Sequence, residues 1–134
     1  MPAPAGGGGA TAPVAWRVLL VEDSRDDAEL LEYALRMGGV AVECRRVSTA
    51  DALREALPEF MPQAVVSDVN LPGFSGAEAL ALVRTHDPAL PFVFLTGALL
   101  PGDDGPPEAD GLLLKDALDE LPALLRRLLA GERQ

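Results

Sequence analysis

Residues Trp16 to Asp23 read WRVLLVED, a short and mostly apolar stretch that stops at two acidic side chains. A strand buried inside a parallel sheet has this composition, because helices cover both of its faces. The abrupt change to Glu22 and Asp23 marks the polar edge where such a strand ends. The stretch therefore predicts a buried first strand whose carboxyl end carries two carboxylates.

The same alternation of strand and helix recurs along the rest of the chain. Ser24 is a suitable N-cap, and Asp26 and Asp27 are favourable in the first turn of a helix that runs to Gly38. Pro58 is expected to close the second helix. Further strands are predicted at Val40–Val47, Ala64–Asp68, Pro91–Thr96 and Gly111–Lys115, and further helices at Thr49–Leu57, Gly76–Thr85 and Asp119–Ala130.

Five buried strands that alternate with helices predict an α/β fold, in which a parallel sheet is wound on both faces with right-handed crossovers. The crossover from Leu99 to Gly111 breaks the pattern, because it is rich in proline and glycine. We expect the fourth helix to be shortened or missing there. Ligands bind beyond the carboxyl ends of the strands in such folds, so we look for functional residues at those ends.

The length of 134 residues suits one domain. Residues 1–15 are rich in alanine, proline and glycine and carry no charge, so they predict a disordered tail or linker, and residues 16–134 form the expected domain. No segment has the pattern of a signal peptide or the length of a membrane span. The expectation is a soluble, cytoplasmic protein without a membrane partner.

The charge balance limits the class of partner. Eleven basic and twenty-one acidic residues give a net charge of −10, which argues against a nucleic-acid partner because phosphate backbones attract positive charge. Cys44 is the single cysteine, so it can form no internal disulfide and is expected to occupy a buried strand position. Lys115 is the single lysine, and its position therefore carries information.

Three carboxylates are expected to converge at one edge of the sheet. Glu22 and Asp23 follow the first strand and Asp68 closes the third, so these side chains meet if the two strands are neighbours. Mg²⁺ accepts hard oxygen ligands, keeps several waters and binds one or two carboxylates together with phosphate oxygens. The sequence therefore predicts a Mg²⁺ site, in which the metal relieves the repulsion among the carboxylates.

Two further side chains complete a set that suits phosphoryl transfer. Thr96 ends the fourth predicted strand and Lys115 ends the fifth. Asp68 can act as the oxygen nucleophile and become an acyl phosphate, while Lys115 and Mg²⁺ balance charge and Thr96 donates a hydrogen bond. Each residue alone has a plainer explanation, such as turn formation for Asp68. Their arrangement as one set favours the functional interpretation.

Four short motifs resemble those of response-regulator receiver domains. Val18–Asp23 (VLLVED) and Asp68–Gly76 (DVNLPGFSG) are similar to the first-strand and phosphoacceptor motifs of that family. Thr96–Ala98 and Leu113–Lys115 are similar to its two remaining signatures. The resemblance runs from about Trp16 to the end of the chain, and it implies a flavodoxin-like sheet with strand order 2-1-3-4-5.

The resemblance also implies roles for the site residues. Asp68 accepts a phosphoryl group from the phosphohistidine of a sensor histidine kinase or of a phosphotransfer protein. Glu22 and Asp23 hold Mg²⁺ directly or through water, together with Asp68, and Asn70 offers its backbone carbonyl to the metal. The threonine and the lysine named above contact the phosphate.

The sequence also departs from the family pattern. Asp116 follows the lysine where most members have proline, as in a subgroup often fused to, or working beside, sensor kinases. Leu112 stands where the family usually has an aromatic residue that acts as a switch. The interval from Thr96 to Lys115, 115 − 96 = 19, is shorter than usual. These differences leave open which surface carries the output.

The main hypothesis is a single-domain response regulator that signals by contact with a downstream protein, and that is no enzyme beyond its own phosphorylation and dephosphorylation. The alternative is a degenerate receiver that binds proteins without phosphorylation, or the receiver part of a hybrid sensor kinase. An aspartyl-phosphate hydrolase is least favoured, because Asn70 stands where a second carboxylate is needed. The terminal helix around Arg126 and Arg127 suits core packing or a homodimer surface, and the sequence leaves both open.

Overall fold

The computed structural model describes residues 15–71, 73–97 and 109–130, which form one parallel sheet flanked by helices. In chain order, its elements are β1 (Trp16–Val21), α1 (Arg25–Met37), β2 (Val42–Val47), α2 (Ala50–Phe60), β3 (Ala64–Asp68), β4 (Asn70–Leu71), β5 (Phe74–Ser75), α3 (Gly76–His86), β6 (Phe92–Thr96), β7 (Gly111–Leu114), a 3₁₀ helix (Lys115–Glu120) and α4 (Leu121–Leu129).

The main sheet has the order β2-β1-β3-β6-β7 within the described residues, and all of its pairs are parallel. The two-residue strands β4 and β5 form a separate antiparallel ribbon directly after β3. Counting only the strands of the main sheet, this order is 2-1-3-4-5. The predicted doubly wound α/β fold and its strand order are confirmed.

Strand β1 divides the apolar core into two layers, because successive side chains of a strand point to opposite faces. Leu19 and Val21 pack in a cluster with buried residues of α2 and α3. Val18 and Leu20 pack in a second cluster with buried residues of α1 and α4. Both faces of the sheet are therefore covered, as the unbroken apolar composition of the central strands requires.

Hydroxyl side chains begin three of the helices and thereby set where the chain leaves the sheet. The Ser24 hydroxyl accepts a hydrogen bond from the backbone of Asp27 at 3.1 Å, which confirms the predicted cap of α1. Thr49 caps α2, and Ser75 caps α3 in a reciprocal capping box with Glu78. Because α1 and α3 start directly after β1 and after the ribbon that follows β3, their first turns lie beside the carboxyl ends of those strands.

The prediction that Pro58 closes the second helix is wrong. Helix α2 continues through Pro58 to Phe60 and ends at Met61, which has a left-handed backbone with φ of 53°. Leu57 and Phe60 are both buried in the first core cluster. Their burial favours one more helical turn and outweighs the hydrogen bond that proline cannot donate.

Other predicted boundaries are shifted as well. Strand β2 begins at Val42 rather than Val40, because the Val40 amide donates to the Leu35 carbonyl at 3.0 Å and still belongs to the turn that ends α1. Strand β7 ends at Leu114, so Lys115 opens the 3₁₀ helix instead of closing a strand. The last α-helix therefore starts at Leu121.

Several predictions lie outside the described residues. These are the disordered state of residues 1–14, position 72 of the Asp68–Gly76 motif, the third residue of the Thr96–Ala98 motif and most of the proline-rich crossover in residues 98–108. None of the helices in the described ranges combines the length and the apolar composition that a membrane span requires.

Candidate functional site

The carboxyl ends of β1 and β3 lie side by side and bring three acidic side chains together. The strands pair in parallel, with Val21 opposite Ser67, so the residues that follow each strand meet at one edge. Carboxylate oxygens of Glu22, Asp23 and Asp68 lie within 4.8 Å of one another. The convergence that was expected from the two strand ends is therefore present in the structure.

Glu22 is the buried member of this trio, with 3% of its surface exposed. Its Oε2 atom accepts a hydrogen bond from the Ser24 amide at 3.1 Å, and its backbone carbonyl accepts one from Arg46 at 3.1 Å. Burial raises the pKa of Glu22, although the Ser24 amide and the charge of Lys115 oppose this effect. Asp23 is exposed and forms the outer side of the trio.

Lys115 reaches into the site from the first residue of the 3₁₀ helix. Its Nζ atom donates hydrogen bonds to Asp27 Oδ2 at 3.0 Å, Asp68 Oδ2 at 3.1 Å and Glu22 Oε1 at 3.3 Å. Burial alone lowers the pKa of Lys115, but these carboxylates raise it above its ordinary value. The lysine is therefore a fixed positive charge in contact with three anions.

Asp27 was not predicted as a site residue. The sequence pattern placed it in the first turn of α1 as a favourable charge for the helix dipole, whereas the structure also places its carboxylate against Lys115. One signal could have suggested this contact. Asp27 lies in the first turn of the helix that follows the acidic end of β1 after only three residues, so its carboxylate starts close to that edge of the sheet.

Thr96 ends β6 at the same edge of the sheet. In the pairing of β3 with β6, Asp68 lies opposite Leu95, so Thr96 is the next residue beyond the phosphoacceptor candidate. Thr96 is buried, with 7% of its surface exposed. A Cβ atom added to Gly97 would meet no atom of the described residues within 4 Å.

The segment after Asp68 turns back sharply and closes with a backbone hydrogen bond from Gly76 to Val69 at 2.9 Å. A Cβ atom on Gly76 would lie 2.5 Å from Phe94 Cε1 and 2.8 Å from the Val69 carbonyl oxygen, so this close approach requires glycine. Asn70 belongs to β4 in this segment and pairs with Ser75. The backbone of Asn70 thus follows Asp68, the last residue of the acidic trio, by two positions.

A pocket of about 150 Å³ adjoins the acidic residues between α1 and the 3₁₀ helix, and its lining consists of Glu22, Asp27, Leu30, Leu95, Lys115 and Leu118. Four carboxylates and one ammonium meet at this place among the described residues, a formal charge of −3 when all are ionised. Converging hard oxygen donors with surplus negative charge fit a divalent cation. The same arrangement can position a carboxylate nucleophile beside a positive charge.

The residues that depart from the pattern expected above, and the single histidine and cysteine, lie outside the group of side chains that contact Lys115. Leu112 is half-buried on β7, pairs in register with Phe94 and packs against the first core cluster. Asp116 is exposed on the 3₁₀ helix, and His86 is exposed at the end of α3. Cys44 is half-buried on β2, where burial raises the pKa of its thiol to about 12. Cys44 therefore lies on a strand as expected, but it is half-buried rather than buried.

Comparison with known proteins places the chain in a family. The sequence profile of the response regulator receiver domain matches residues 18–103. The response regulator protein FleR of Pseudomonas aeruginosa is 41% identical over 86 residues, which are 62% of this chain and 17% of FleR. The transcriptional regulatory protein TctD of Salmonella typhimurium is 38% identical over 117 residues, which are 84% of this chain and 51% of TctD. The chain thus spans about half or less of these relatives.

Solved structures agree with this placement. A response regulator from Chloroflexus aurantiacus is 30% identical, with a TM-score of 0.74 and coverage of 87% of this chain and 99% of the other. The signal receiver domain of NarL from Mycobacterium tuberculosis shares the fold at 23% identity, with a TM-score of 0.71 and coverage of 89% and 99%. The chain belongs to the receiver domain family of two-component response regulators.

Proposed function

We propose that this receiver accepts a phosphoryl group on Asp68, with Mg²⁺, from the phosphohistidine of a sensor histidine kinase or a phosphotransfer protein. The observation that carries the proposal is the position of the Asp68 carboxylate. Its Oδ2 atom lies 3.1 Å from the Lys115 ammonium, and the side chain is 13% exposed at the end of β3. The Asp68 carboxylate is thus held beside a positive charge and is still accessible to a phosphoryl donor.

The chemistry follows from this position. One carboxylate oxygen of Asp68 attacks phosphorus, the bond from phosphorus to the donor imidazole nitrogen breaks, and that nitrogen keeps the electron pair. Negative charge on the phosphoryl oxygens is then balanced by Lys115, while the Thr96 hydroxyl donates a hydrogen bond. The protein modifies itself and does not turn over a separate product.

The acidic trio is the proposed metal site. Glu22, Asp23 and Asp68 supply converging carboxylate oxygens, and the Asn70 backbone carbonyl is the further candidate ligand. Bound Mg²⁺ supplies positive charge for the phosphoryl oxygens. Without a cation, the surplus negative charge at this edge opposes the approach of a phosphate group. A metal requirement for phosphorylation is therefore expected.

Protein partners are supported by the surface of α1. Leu30, Tyr33 and Met37 are 58%, 62% and 69% exposed, and their spacing places them along one side of the helix. Leu30 also lines the pocket next to Lys115. Exposed apolar side chains beside a reactive pocket favour contact with a protein donor over a small metabolite.

Phosphorylation adds roughly −1.5 to −2 charges at Asp68. Thr96 and Lys115 would shift locally to contact the added phosphate, and this shift would alter the neighbouring surface.

The test is phosphorylation by a small donor. Purified protein is incubated with acetyl phosphate and Mg²⁺ and separated on a phosphate-affinity gel, and the same assay is run with a histidine-phosphorylated phosphotransfer protein. We expect the wild type and Asp51→Asn, an exposed control carboxylate, to be modified, and Asp68→Asn to remain unmodified. Equal modification of Asp68→Asn would refute Asp68 as the acceptor.

A second candidate is a phosphorylation-independent binding module. Leu112 favours it, because a leucine cannot act as the rotating aromatic ring that many receivers use. In that case output depends on protein contacts alone, and phosphorylation of Asp68 leaves binding to a downstream protein unchanged. Because the chain spans only part of its curated relatives, the receiver of a larger protein such as a hybrid kinase is a further form of the same function.

A further inference from the structure

The shortest contact of Lys115 is with a residue outside the acidic trio. Lys115 Nζ lies 3.0 Å from Asp27 Oδ2, against 3.1 Å for Asp68 and 3.3 Å for Glu22. An ammonium group has three hydrogen-bond donors, so each carboxylate can accept one of them. The lysine is therefore held from two directions, by the strand ends and by helix α1.

The position of Asp27 is well defined by its helix. Its amide donates to the Ser24 hydroxyl at 3.1 Å, so the residue is part of the N-terminal cap. Leu31 and Leu35 of the same helix are 2% and 0% exposed, which anchors α1 on the sheet. Asp27 thus presents its carboxylate from a packed element, whereas Lys115 carries a long stem with many rotamers.

The neighbouring Asp26 provides a natural comparison. Both aspartates lie in the first turn of α1 and both favour the helix dipole. Asp26 is exposed, whereas Asp27 is half-buried and contacts the lysine. A role in helix capping alone would make the two residues equivalent, so the contact with Lys115 is what distinguishes Asp27.

From this geometry we propose that Asp27 is a positioning residue, which holds the Lys115 ammonium at Asp68 and thereby prepares the site for phosphoryl transfer. The proposal rests on the proposed function of Asp68. A freely rotating lysine would spend less time beside the acceptor, and misplacement of a charge by about 1 Å can cost orders of magnitude in rate. Asparagine at position 27 keeps an acceptor oxygen and alanine does not, so the two substitutions should differ.

The first experiment measures initial rates of modification by acetyl phosphate with saturating Mg²⁺. We expect Asp27→Ala to be slower by roughly tenfold, Asp27→Asn to be intermediate, and Asp26→Ala to match the wild type. The same substitutions are repeated in a Lys115→Met background, where Asp27→Ala should have no further effect because its route of action is gone. An equal slowing in that background, or in Asp26→Ala, would overturn the proposal.

The second experiment does not depend on phosphorylation. Lys115 is the only lysine in the chain, so acylation of this side chain by an amine reagent can be followed by peptide mass spectrometry and separated from the N-terminal amine. Without Mg²⁺ or a phosphate donor, Asp27→Ala should raise the acylation rate of Lys115 several-fold, and Asp26→Ala should not. An unchanged rate in folded Asp27→Ala protein would overturn the role of Asp27.

The two experiments separate the two proposals. If no variant, including the wild type, is modified by acetyl phosphate, the phosphoacceptor function fails, and the lysine acylation rates still decide whether Asp27 holds Lys115. If the wild type is modified and both variants of Asp27 behave like it in both assays, the phosphoacceptor function stands and Asp27 has no positioning role.

Discussion

Two partly buried ionic groups lie at opposite ends of the sheet, and they differ in charge balance. At the carboxyl end, Lys115 faces Glu22, Asp27 and Asp68. At the amino end, Arg84 of α3 pairs with Asp110 at 3.1 Å, just before β7 begins. The first group carries an excess of negative charge, whereas the second pairs one cation with one anion.

The pair at the amino end is closely integrated with the backbone. Arg84 also donates to the Leu90 carbonyl at 2.6 Å, and Asp110 accepts from the Phe92 amide at 2.9 Å. The Asp110 amide donates to the Phe92 carbonyl at 2.8 Å. These bonds tie the end of α3 to the starts of β6 and β7, so this pair supports the fold.

The balanced ion pair at the amino end stabilises the fold, whereas the unbalanced group at the carboxyl end leaves negative charge that a bound cation can neutralise. Among the described residues, the carboxyl end brings one ammonium into contact with a group of four carboxylates, and a divalent cation fits these donors. At the amino end, the charges of Arg84 and Asp110 already balance each other. Removing an acidic side chain should therefore lower the free energy of unfolding at the amino end and raise it at the carboxyl end.

The largest effect is expected from removing one partner of the balanced pair. Asp110→Ala leaves Arg84 and the Phe92 amide without this acceptor, which should lower the free energy of unfolding by roughly 3 kcal/mol. Urea unfolding followed by circular dichroism measures the change. A loss no larger than that of a surface substitution would contradict a structural role for this pair.

Mg²⁺ binding at the carboxyl end of the sheet should raise the free energy of unfolding by a similar amount. A cation that binds only the folded state at a hundredfold excess over its dissociation constant adds about 2.7 kcal/mol of stability. Thermal unfolding with and without Mg²⁺ should show this gain in the wild type and in Asp110→Ala. Asp23→Asn should lose most of it, and a wild type that does not respond would favour a degenerate receiver.

A smaller gain is expected from removing an acidic group in the absence of metal. Asp23→Asn relieves repulsion with Glu22 and Asp68 and should raise the free energy of unfolding by roughly 0.5–1 kcal/mol in a chelating buffer. The gain should shrink as salt is added, because Asp23 is exposed and salt screens exposed charges. A loss of stability at low salt would show that Asp23 has a structural partner.

The smallest effect provides the reference for the others. Arg54 and Asp51 form an ion pair on α2 at 2.9 Å, with side chains 58% and 91% exposed. Asp51→Asn should change the free energy of unfolding by less than about 0.5 kcal/mol, because solvent screens such pairs. A change as large as that of Asp110→Ala would remove the distinction between exposed and integrated pairs.

Local patterns predicted much of the fold and part of the site. The apolar run of β1 and the acidic residues after it were sufficient to predict the strand, the point where it ends and the two carboxylates Glu22 and Asp23. A strand with both faces buried is apolar, so polar residues mark its end. Ser24 was recognisable as a cap because a serine hydroxyl can accept a hydrogen bond from a free amide in the first turn of a helix. Boundaries were less accurate where packing decided them, as when the burial of Phe60 extended α2 beyond Pro58.

The sequence by itself determined which residue types stand at the strand ends, since each end is encoded by its own few residues. Only the tertiary structure decided which of them meet. Lys115 contacts Asp27 across 88 positions of the chain and Glu22 across 93, and Arg84 reaches Asp110 across 26. Such contacts depend on how strands and helices pack, and no local periodicity encodes them. The place of the one lysine beside Asp68 and the acidic strand ends could be expected from the sequence, but its contact with Asp27 could not.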